Sequence, residues 1–354
     1  MADLNTLLKK LVDEGGSDLH ILSGDPIRMR VHGDLISISD EPISGKDALD
    51  MFNDIMTMRN KEVMDSDEQV DFAYDAPDIG RFRVNVFRHL NGVGGIFRTI
   101  PSEVIPLEKL NMPPVIESVC KQKSGLILVT GKTGSGKSTT LASMINVINT
   151  KQKGHILTIE DPVEFEHERK NCLISQREVG SHSRTFAQAL HSALREDPDA
   201  ILVGELRDLE TMSLAVTAAE TGILVLATLH TNSAASTVDR VINTFPVNKQ
   251  PHIRTMLSTS LRAIISQQLV KTKDGKGRVA AVEILINTSA TSNILREGKS
   301  EQLKTSIQGG GSHGMQSMDS SLHELVKEQI IDPQTAFEAA DDKNSFRQYL
   351  KKSS

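Results

Sequence analysis

Residues 125–138 read GLILVTGKTGSGKS and are the clearest indication of the fold class. Its last eight residues, 131–138, match the pattern G-x-x-x-x-G-K-[ST] at every fixed position. Glycines in such a loop let backbone N–H groups turn towards phosphate oxygens, and the N-terminus of a following helix adds a favourable dipole. The continuous apolar run before the loop is typical of a strand buried on both faces. The stretch therefore predicts a strand, a phosphate-binding loop and a helix in direct succession.

The side chains of this loop have separate predicted roles. Lys137 is expected to reach the β- and γ-phosphates of a nucleoside triphosphate, and Ser138 to offer its hydroxyl to Mg²⁺. A chance glycine turn is a weak alternative because the motif and its context agree. The predicted ATP-binding residues of the loop are Gly131, Thr133, Gly134, Ser135, Gly136, Lys137, Ser138 and Thr139.

Acidic residues follow a second apolar run, in ILTIEDPVEF at residues 156–165. Ligands of open α/β sheets bind at the carboxyl ends of the strands, and nucleotide hydrolysis needs acids that hold Mg²⁺ and orient water. Glu160 and Asp161 are therefore candidate metal ligands, and Glu164 is a candidate catalytic carboxylate. The alternative is that these acids cap a strand end at the surface, since Asp-Pro is also a common turn.

A third apolar run ends in an acid, in AILVGE at residues 200–205. Apolar residues followed by an acid resemble a Walker B strand, although Gly204 stands where an aspartate often occurs. Glu205 is therefore a candidate for both catalysis and Mg²⁺ binding. The alternative of a surface cap applies here too.

A histidine and several arginines complete the candidate site. His230 ends the apolar run ILVLATLH, where a polar side chain is placed to sense the γ-phosphate. The alternative is an ordinary structural or surface histidine. Arg81, Arg83 and Arg88 lie on one predicted strand and are expected to alternate towards one face. They predict either a solvated face or arginines that approach phosphate and stabilise developing charge.

The pattern along the chain predicts two domains and a linker. Residues 1–100 mix short strands and helices and predict a compact α+β domain. Residues 101–114 are punctuated by prolines and predict a linker, and residues 115–354 predict an α/β domain with a mostly parallel sheet. Within the second domain, residues 251–268 are predicted to form one helix. The predicted strands there are GLILVTG, HILTIED, AILVGE and ILVLATLH, and helices are predicted over 138–149, 185–196 and 209–220.

Composition excludes several classes of protein. The 354 residues carry 40 Lys and Arg against 46 Asp and Glu, and only 3% of them are aromatic, which argues against nucleic acid as a partner. Two cysteines cannot form a disulfide framework or a four-thiolate zinc site, so a reducing cytoplasm is expected. No run approaches 18 apolar residues, so any contact with a membrane is expected to be peripheral.

Many separate blocks of this sequence carry a resemblance to a known family. They are SDLHILSGDPIRMRVHGDL, GRFRVNVF, GKTGSGKSTTLASM, ILTIEDPVEFEHE, QREVG, ALREDPDAILVGELRDLETM, AAETGILVLATLHTNSA and GGGSHGMQSMD. In their sequence and order, these blocks resemble the type IV pilus retraction ATPases, the PilT family. Residues 290–298, ATSNILREG, resemble the C-terminal retraction motif of that family and depart from it at Thr291 and Ser292. The resemblance covers nearly the whole chain and also places it in the wider superfamily of type II and type IV secretion ATPases.

The resemblance implies a fold and a division of roles. It implies a PAS-like N-terminal domain and a RecA-like P-loop ATPase core, with ATP between them and Mg²⁺ as cofactor. Glu164 is then a candidate general base and Glu205 the Walker B acid that holds Mg²⁺ directly or through water, although these two roles could be exchanged. His230 lies in the His-box block. Arg81 and Arg83 match arginines that approach nucleotide.

The resemblance also implies an assembly and a task. The chain is expected to form a homohexamer in the cytoplasm, docked peripherally on an inner-membrane platform protein of the PilC type. ATP hydrolysis would rotate the domains and power pilus retraction and twitching motility. The main alternative is an accessory or regulatory paralogue that hydrolyses ATP weakly beside another retraction ATPase. A nucleic-acid translocase on the same core is a further alternative.

Overall fold

The computed structural model describes residues 3–31, 33–100 and 103–350. The chain forms two compact units, one of Met1–Glu103 with Pro162–Glu166 and one of Val104–Asp161 with His167–Ser354. Pro101, one of the prolines of the predicted linker, lies outside the described residues. In the described part of the chain, no helix combines the length and the apolar character needed to cross a membrane.

The first unit is built on a six-stranded antiparallel sheet in the order β3-β2-β1-β6-β5-β4. One face of the sheet carries the core of the unit, and the first helix buries Leu4, Leu7, Leu8 and Leu11 there. The elements are α1 (Leu4–Asp13), β1 (Asp18–Leu22), β2 (Pro26–Val31), β3 (Asp34–Pro42), α2 (Gly45–Ile55), α3 (Met58–Asp67), β4 (Gln69–Ala76), β5 (Gly80–His89) and β6 (Gly92–Ile100).

A close approach between a helix and a strand organises this core. Phe52 of α2 packs against Phe97 of β6, with ring centroids 6.2 Å apart. A Cβ at Gly95 would meet the Phe52 ring at 2.5 Å, so only glycine fits beneath the ring. Gly95 lies within strand β6 and gives the Phe52 ring its space.

The prediction that Arg81, Arg83 and Arg88 share one face of strand β5 was wrong for Arg88. Phe82, Val84 and Val86 are buried, whereas Arg81 and Arg83 lie on the opposite face. Arg88 does not share that face, because it stands an odd number of residues from both arginines and side chains alternate along a strand. Its guanidinium lies 3.4 Å from Asp65 of α3.

The second unit is an α/β fold on a seven-stranded sheet in the order β13-β12-β7-β11-β10-β8-β9. All neighbours are parallel except β12 and β13. The elements are α4 (Val115–Val119), β7 (Gly125–Thr130), α5 (Lys137–Lys151), β8 (His155–Glu160), β9 (Leu173–Glu178), α6 (Phe186–Ala193), β10 (Ala200–Val203), α7 (Leu209–Glu220), β11 (Leu224–Leu229), α8 (Ala234–Asn243), α9 (Gln250–Ser260), β12 (Leu261–Lys271), β13 (Arg278–Ile286), α10 (Ser289–Glu297), α11 (Leu303–Gly309), α12 (Met318–Lys327), α13 (Pro333–Ala339) and α14 (Lys343–Leu350).

The four predicted apolar strands are confirmed as β7, β8, β10 and β11. Helices α5, α6 and α7 likewise confirm the predicted helices to within a few residues. The single helix predicted over 251–268 was wrong. Helix α9 ends at Ser260, and the chain enters strand β12 at Leu261 with no glycine or proline between them.

Candidate nucleotide site

The phosphate-loop motif lies where parallel strand β7 ends and helix α5 begins. Gly131, Gly134 and Gly136 have φ values of +146°, +77° and +86°, which L side chains rarely adopt. Lys137 is buried, and its Nζ donates hydrogen bonds to the carbonyl oxygens of Gly131 at 2.9 Å and Lys132 at 3.1 Å. The ammonium is therefore held against the backbone of its own loop, where a phosphate would be cradled.

Gln267 of β12 braces the loop from a neighbouring strand. Its Oε1 accepts a hydrogen bond from Thr140 Oγ1 at 2.9 Å, and its Nε2 donates to the carbonyl of Ser135. A Cβ at Gly131 would meet the Gln267 carbonyl oxygen at 2.3 Å, so this position also requires glycine for space. No local sequence pattern marks Gln267 for this role, because its partners lie more than 120 residues away.

Ser135 provides an observation that bears directly on ligand binding. The side chain is 5% exposed, and its Oγ has no hydrogen-bond partner in the described part of the chain. A buried hydroxyl without a partner is costly, and a phosphate oxygen would satisfy it. The interior of the loop is thus chemically suited to an anion.

A cavity adjoins the outer side of the loop. It has a volume of about 310 Å³, and Gly136, Thr139 and Thr140 line one wall. Gln267, Leu269 and Arg278 of the β12–β13 pair contribute a second wall. The cavity is large enough for the nucleoside part of a nucleotide whose phosphates enter the loop.

The predicted acids of the second unit lie at the ends of β8 and β10. Glu160 is the last residue of β8, is 9% exposed, and accepts a hydrogen bond from Thr158 Oγ1 at 2.7 Å. Asp161 follows it and is exposed. Since β8, β10, β11 and β7 run parallel, their carboxyl ends share one edge of the sheet with the phosphate loop.

Gly204 connects β10 to Glu205 and lies close to the backbone of the neighbouring parallel strand β8. Its N–H donates to the carbonyl of Ile159 at 2.8 Å, and its carbonyl accepts from Thr228 Oγ1. A Cβ at this position would meet the Ile159 carbonyl at 3.3 Å and Glu160 Cα at 3.4 Å. The absence of the usual aspartate therefore coincides with a tight backbone approach.

Glu205 and His230 are brought together. Glu205 Oε1 lies 3.2 Å from His230 Nε2, and its Oε2 accepts a hydrogen bond from Arg207 Nε at 2.7 Å. The Glu205 side chain is 20% exposed and that of His230 is 44% exposed. A carboxylate held between a histidine and an arginine is oriented and still accessible to a ligand.

The remaining predicted residues belong to the first unit. Glu164 is half-buried in the loop after β8, within the segment Pro162–Glu166. Arg81 Nη1 donates to Glu166 Oε1 at 2.9 Å, and Arg83 lies 3.7 Å from Asp71. The structure thus places both arginines beside acids of their own unit.

The chain belongs to the family described as type II/IV secretion system protein, whose model matches residues 1–348. It is 49% identical to the type IV pilus retraction ATPase PilT of Pseudomonas aeruginosa, over 97% of this chain and 100% of that protein. It is 50% identical to a twitching motility protein of Neisseria gonorrhoeae, over 90% of this chain and 85% of that protein. It is also 39% identical to the type IV pilus ATPase PilU of Pseudomonas aeruginosa, over 99% and 91%.

A solved structure shows the same similarity in three dimensions. A crystal structure of the pilus retraction motor PilT with bound ADP matches at a TM-score of 0.90 and 41% identity, covering 98% of this chain and 99% of that one. These findings confirm the predicted family resemblance and the predicted fold class, a RecA-like P-loop core with a smaller N-terminal α+β domain.

Proposed function

We propose that this protein is an ATP-hydrolysing motor that powers type IV pilus retraction, and that it works as a homohexamer. The observation that carries the chemistry is the preformed phosphate loop, with buried Lys137 and a Ser135 hydroxyl that has no hydrogen-bond partner among the described residues. The full-length similarity to PilT of Pseudomonas aeruginosa and to the ADP-bound PilT structure supports the substrate and the task. We retain 1–100, 101–114 and 115–354 as the proposed N-terminal domain, linker and ATPase domain.

The residues of the second unit have two proposed roles, phosphate binding and Mg²⁺ binding. The loop from Gly131 to Thr139 holds the phosphates, and Lys137 offsets their charge. The oxygens of Ser138, Glu160, Asp161 and Glu205 are the hard ligands that Mg²⁺ prefers, so this donor set fits the ion. When bound, Mg²⁺ would neutralise charge on the transferring phosphoryl group.

Glu205 and His230 are proposed to act as a pair. A carboxylate that contacts a histidine can orient a water molecule and respond to the charge at the γ position. The exposed His230 ring is placed at the end of β11, where a change in that charge would move it.

Three residues of the first unit remain part of the proposal. Glu164 is the proposed general base, with Glu205 as the alternative for that role. Arg81 and Arg83 are proposed to approach nucleotide, which their guanidinium chemistry suits because it matches phosphate geometry. The resemblance to retraction ATPases supports these assignments.

Purified protein tests the chemistry through Glu205→Gln and Glu164→Gln. We expect each variant to bind ADP as the natural protein does and to lose roughly a hundredfold or more in turnover, because one charge is removed at constant shape. Glu220→Gln, at the exposed end of α7, is the matched control and should keep full turnover. Full turnover in both Glu205→Gln and Glu164→Gln would refute the assigned chemistry.

Cells test the task. The proposed location is the cytoplasmic side of an inner-membrane pilus machine, where the hexamer contacts a PilC-like platform protein. Deletion of the gene should leave pili present or more abundant and abolish their retraction. A loss of pili altogether would indicate assembly instead of retraction.

The similarity to PilU of Pseudomonas aeruginosa favours a second candidate, an accessory retraction ATPase paralogue with weak turnover. The two candidates differ in the rate of phosphate release by the purified hexamer. Turnover near background, together with normal retraction when the gene is deleted, would select the accessory role.

A further inference from the structure

Strand β13 contains a carboxylate that none of the roles above uses. Glu283 is only 6% exposed, and burial raises the pKa of its carboxyl group above the usual value. Placing a carboxylate in such surroundings costs free energy unless specific contacts offset it. A buried glutamate in a strand whose other buried residues are apolar therefore calls for a specific partner.

That partner is the first residue of helix α8. Glu283 Oε1 accepts a hydrogen bond from the backbone N–H of Ala234 at 2.7 Å. The first N–H groups of a helix have no partner within the helix, and the helix dipole favours a negative charge there. Ser233 satisfies a different donor, the N–H of Ser236, so Glu283 adds an anchor that the local cap does not provide.

Glu283 lies at the same register position of the sheet as the residues that precede the phosphate loop and the loop of His230. In the strand registers, Glu283 lies opposite Ser266, Ser266 opposite Thr130, and Thr130 opposite Leu229. Thr130 Oγ1 donates to Ser266 Oγ at 2.9 Å. Thr130 precedes Gly131 of the phosphate loop, and Leu229 precedes His230.

The turn that carries His230 runs directly into the anchored helix. Only three residues, 231–233, separate His230 from Ala234. Thr231 is tied to the first turn of α8 by the 2.7 Å contact between its Oγ1 and that of Thr237. A shift of the α8 N-terminus would therefore move His230 and change its 3.2 Å contact with Glu205.

We propose that Glu283 is a positioning residue for ATP hydrolysis: by anchoring the N-terminus of α8, it holds His230 against Glu205. This inference rests on the proposed function. Glu283 touches neither substrate nor reacting atoms in this account, and it acts only through His230.

The test compares Glu283→Ala and Glu283→Gln in the full-length protein. Glu283→Ala removes the acceptor and should lower kcat roughly tenfold, with the Kd for ADP unchanged. Glu283→Gln keeps an acceptor oxygen and should restore kcat to within about twofold of the natural protein. Hydrogen exchange of a peptide that contains Ala234 should accelerate in Glu283→Ala and return to normal in Glu283→Gln.

A double-mutant cycle with His230→Ala separates positioning from a purely structural role. If Glu283 acts through His230, Glu283→Ala should have no further effect on kcat in the His230→Ala background. Equal losses in both backgrounds would overturn the inference, and so would unchanged kcat in Glu283→Ala. If Glu283→Ala fails to fold, Glu283→Asp, which shortens the reach by one methylene, serves in the same cycle.

Ser321→Ala is the matched control. Ser321 is buried, and its Oγ accepts from the N–H of Val282, the residue beside Glu283 on the same strand. It should leave kcat unchanged, although it removes a hydrogen bond to β13. Natural protein without any turnover would refute the proposed function, whereas normal turnover in Glu283→Ala refutes only this inference.

Discussion

The two sheets of this protein use opposite solutions to strand burial. In the antiparallel sheet of the first unit, β5 buries alternate side chains and leaves Arg81 and Arg83 on the other face. In the parallel sheet of the second unit, β7, β10 and β11 are buried at every residue. Since these three strands have no exposed face, they carry no charged side chain, and functional candidates such as Glu205 and His230 follow their carboxyl ends. In the second unit, the buried strands therefore stabilise the fold, and the residues that follow them are free to bind a ligand.

Removal of the loop charge should have the largest effect. Lys137→Ala deletes the ammonium but leaves the strands intact, and we expect ATP turnover to fall by roughly a thousandfold. Phosphate release by the purified protein measures this. Lys153→Ala, at an exposed position in the loop between α5 and β8, should keep turnover within about twofold. Turnover retained in Lys137→Ala would break the proposed link between the loop and the chemistry.

A substitution that creates a cavity in the first unit tests the assignment of its core. Phe97→Ala removes a fully buried ring that packs on Phe52, and we expect a loss of about 3–5 kcal/mol in the free energy of unfolding of this unit. Chemical denaturation, with hydrogen exchange in β5 and β6, reports the loss. The exposed Leu35 offers a control, since Leu35→Ala should change stability by less than about 1 kcal/mol. Similar losses in both variants would contradict the assigned core.

Alanine substitutions at two glycines of the phosphate loop distinguish the steric cost of a Cβ from the cost of a positive φ, both measured in the free energy of unfolding. Gly131→Ala meets the Gln267 carbonyl and a positive φ, and should cost about 2–3 kcal/mol. A Cβ at Gly134 meets nothing within 4 Å, so Gly134→Ala should cost about 1 kcal/mol for the positive φ alone. Thermal unfolding of both variants compares the two costs. Equal costs would show that the bracing strand β12 yields to the added methyl.

The smallest effect concerns acid stability of the first unit. Burial opposes ionisation of Asp18, but hydrogen bonds from Ser17 and Arg98 outweigh it and hold the pKa of that carboxyl below its ordinary value of 3.8. Its contribution is therefore present above pH 3.8 and is lost as the pH falls through the lowered pKa. Asp18→Asn should cost about 1 kcal/mol at pH 7 and less at pH 2.

Denaturation curves at pH 7 and pH 2 measure that difference. Asp13→Asn, at an exposed position of α1, should show no such dependence on pH. A loss in Asp18→Asn that is the same at both pH values would mean that charge is not the cause.

The sequence predicted those parts of the fold that have a local signal. The phosphate loop has a sequence motif, and strands β7, β8, β10 and β11 have continuous apolar runs. The structure confirms the loop and all four strands. Strand β12 was missed because Ser266 and Gln267 interrupt its apolar pattern and no turn residue separates it from α9. Those two polar side chains serve Thr130 and the phosphate loop, which only the tertiary structure reveals.

The candidate site divides in the same way. Glu205 and His230 follow strand ends, and Lys137 begins α5 within a phosphate-loop motif, so their positions follow from the motif and the order of apolar runs. Gln267 and Glu283 contribute through partners far away in sequence, and neither belongs to a motif. Their roles depend on strand order and register, which a single sequence leaves undetermined.

The close packing around Gly204, which follows β10, restricts which substitutions this position can accept. Replacing Gly204 by the aspartate that often stands in a Walker B strand would bring a Cβ to 3.3 Å from the Ile159 carbonyl oxygen and 3.4 Å from Glu160 Cα, so the backbone of β8 would have to shift by a few tenths of an ångström. An aspartate at this position should therefore be accepted most readily together with a substitution that loosens the packing around Ile159.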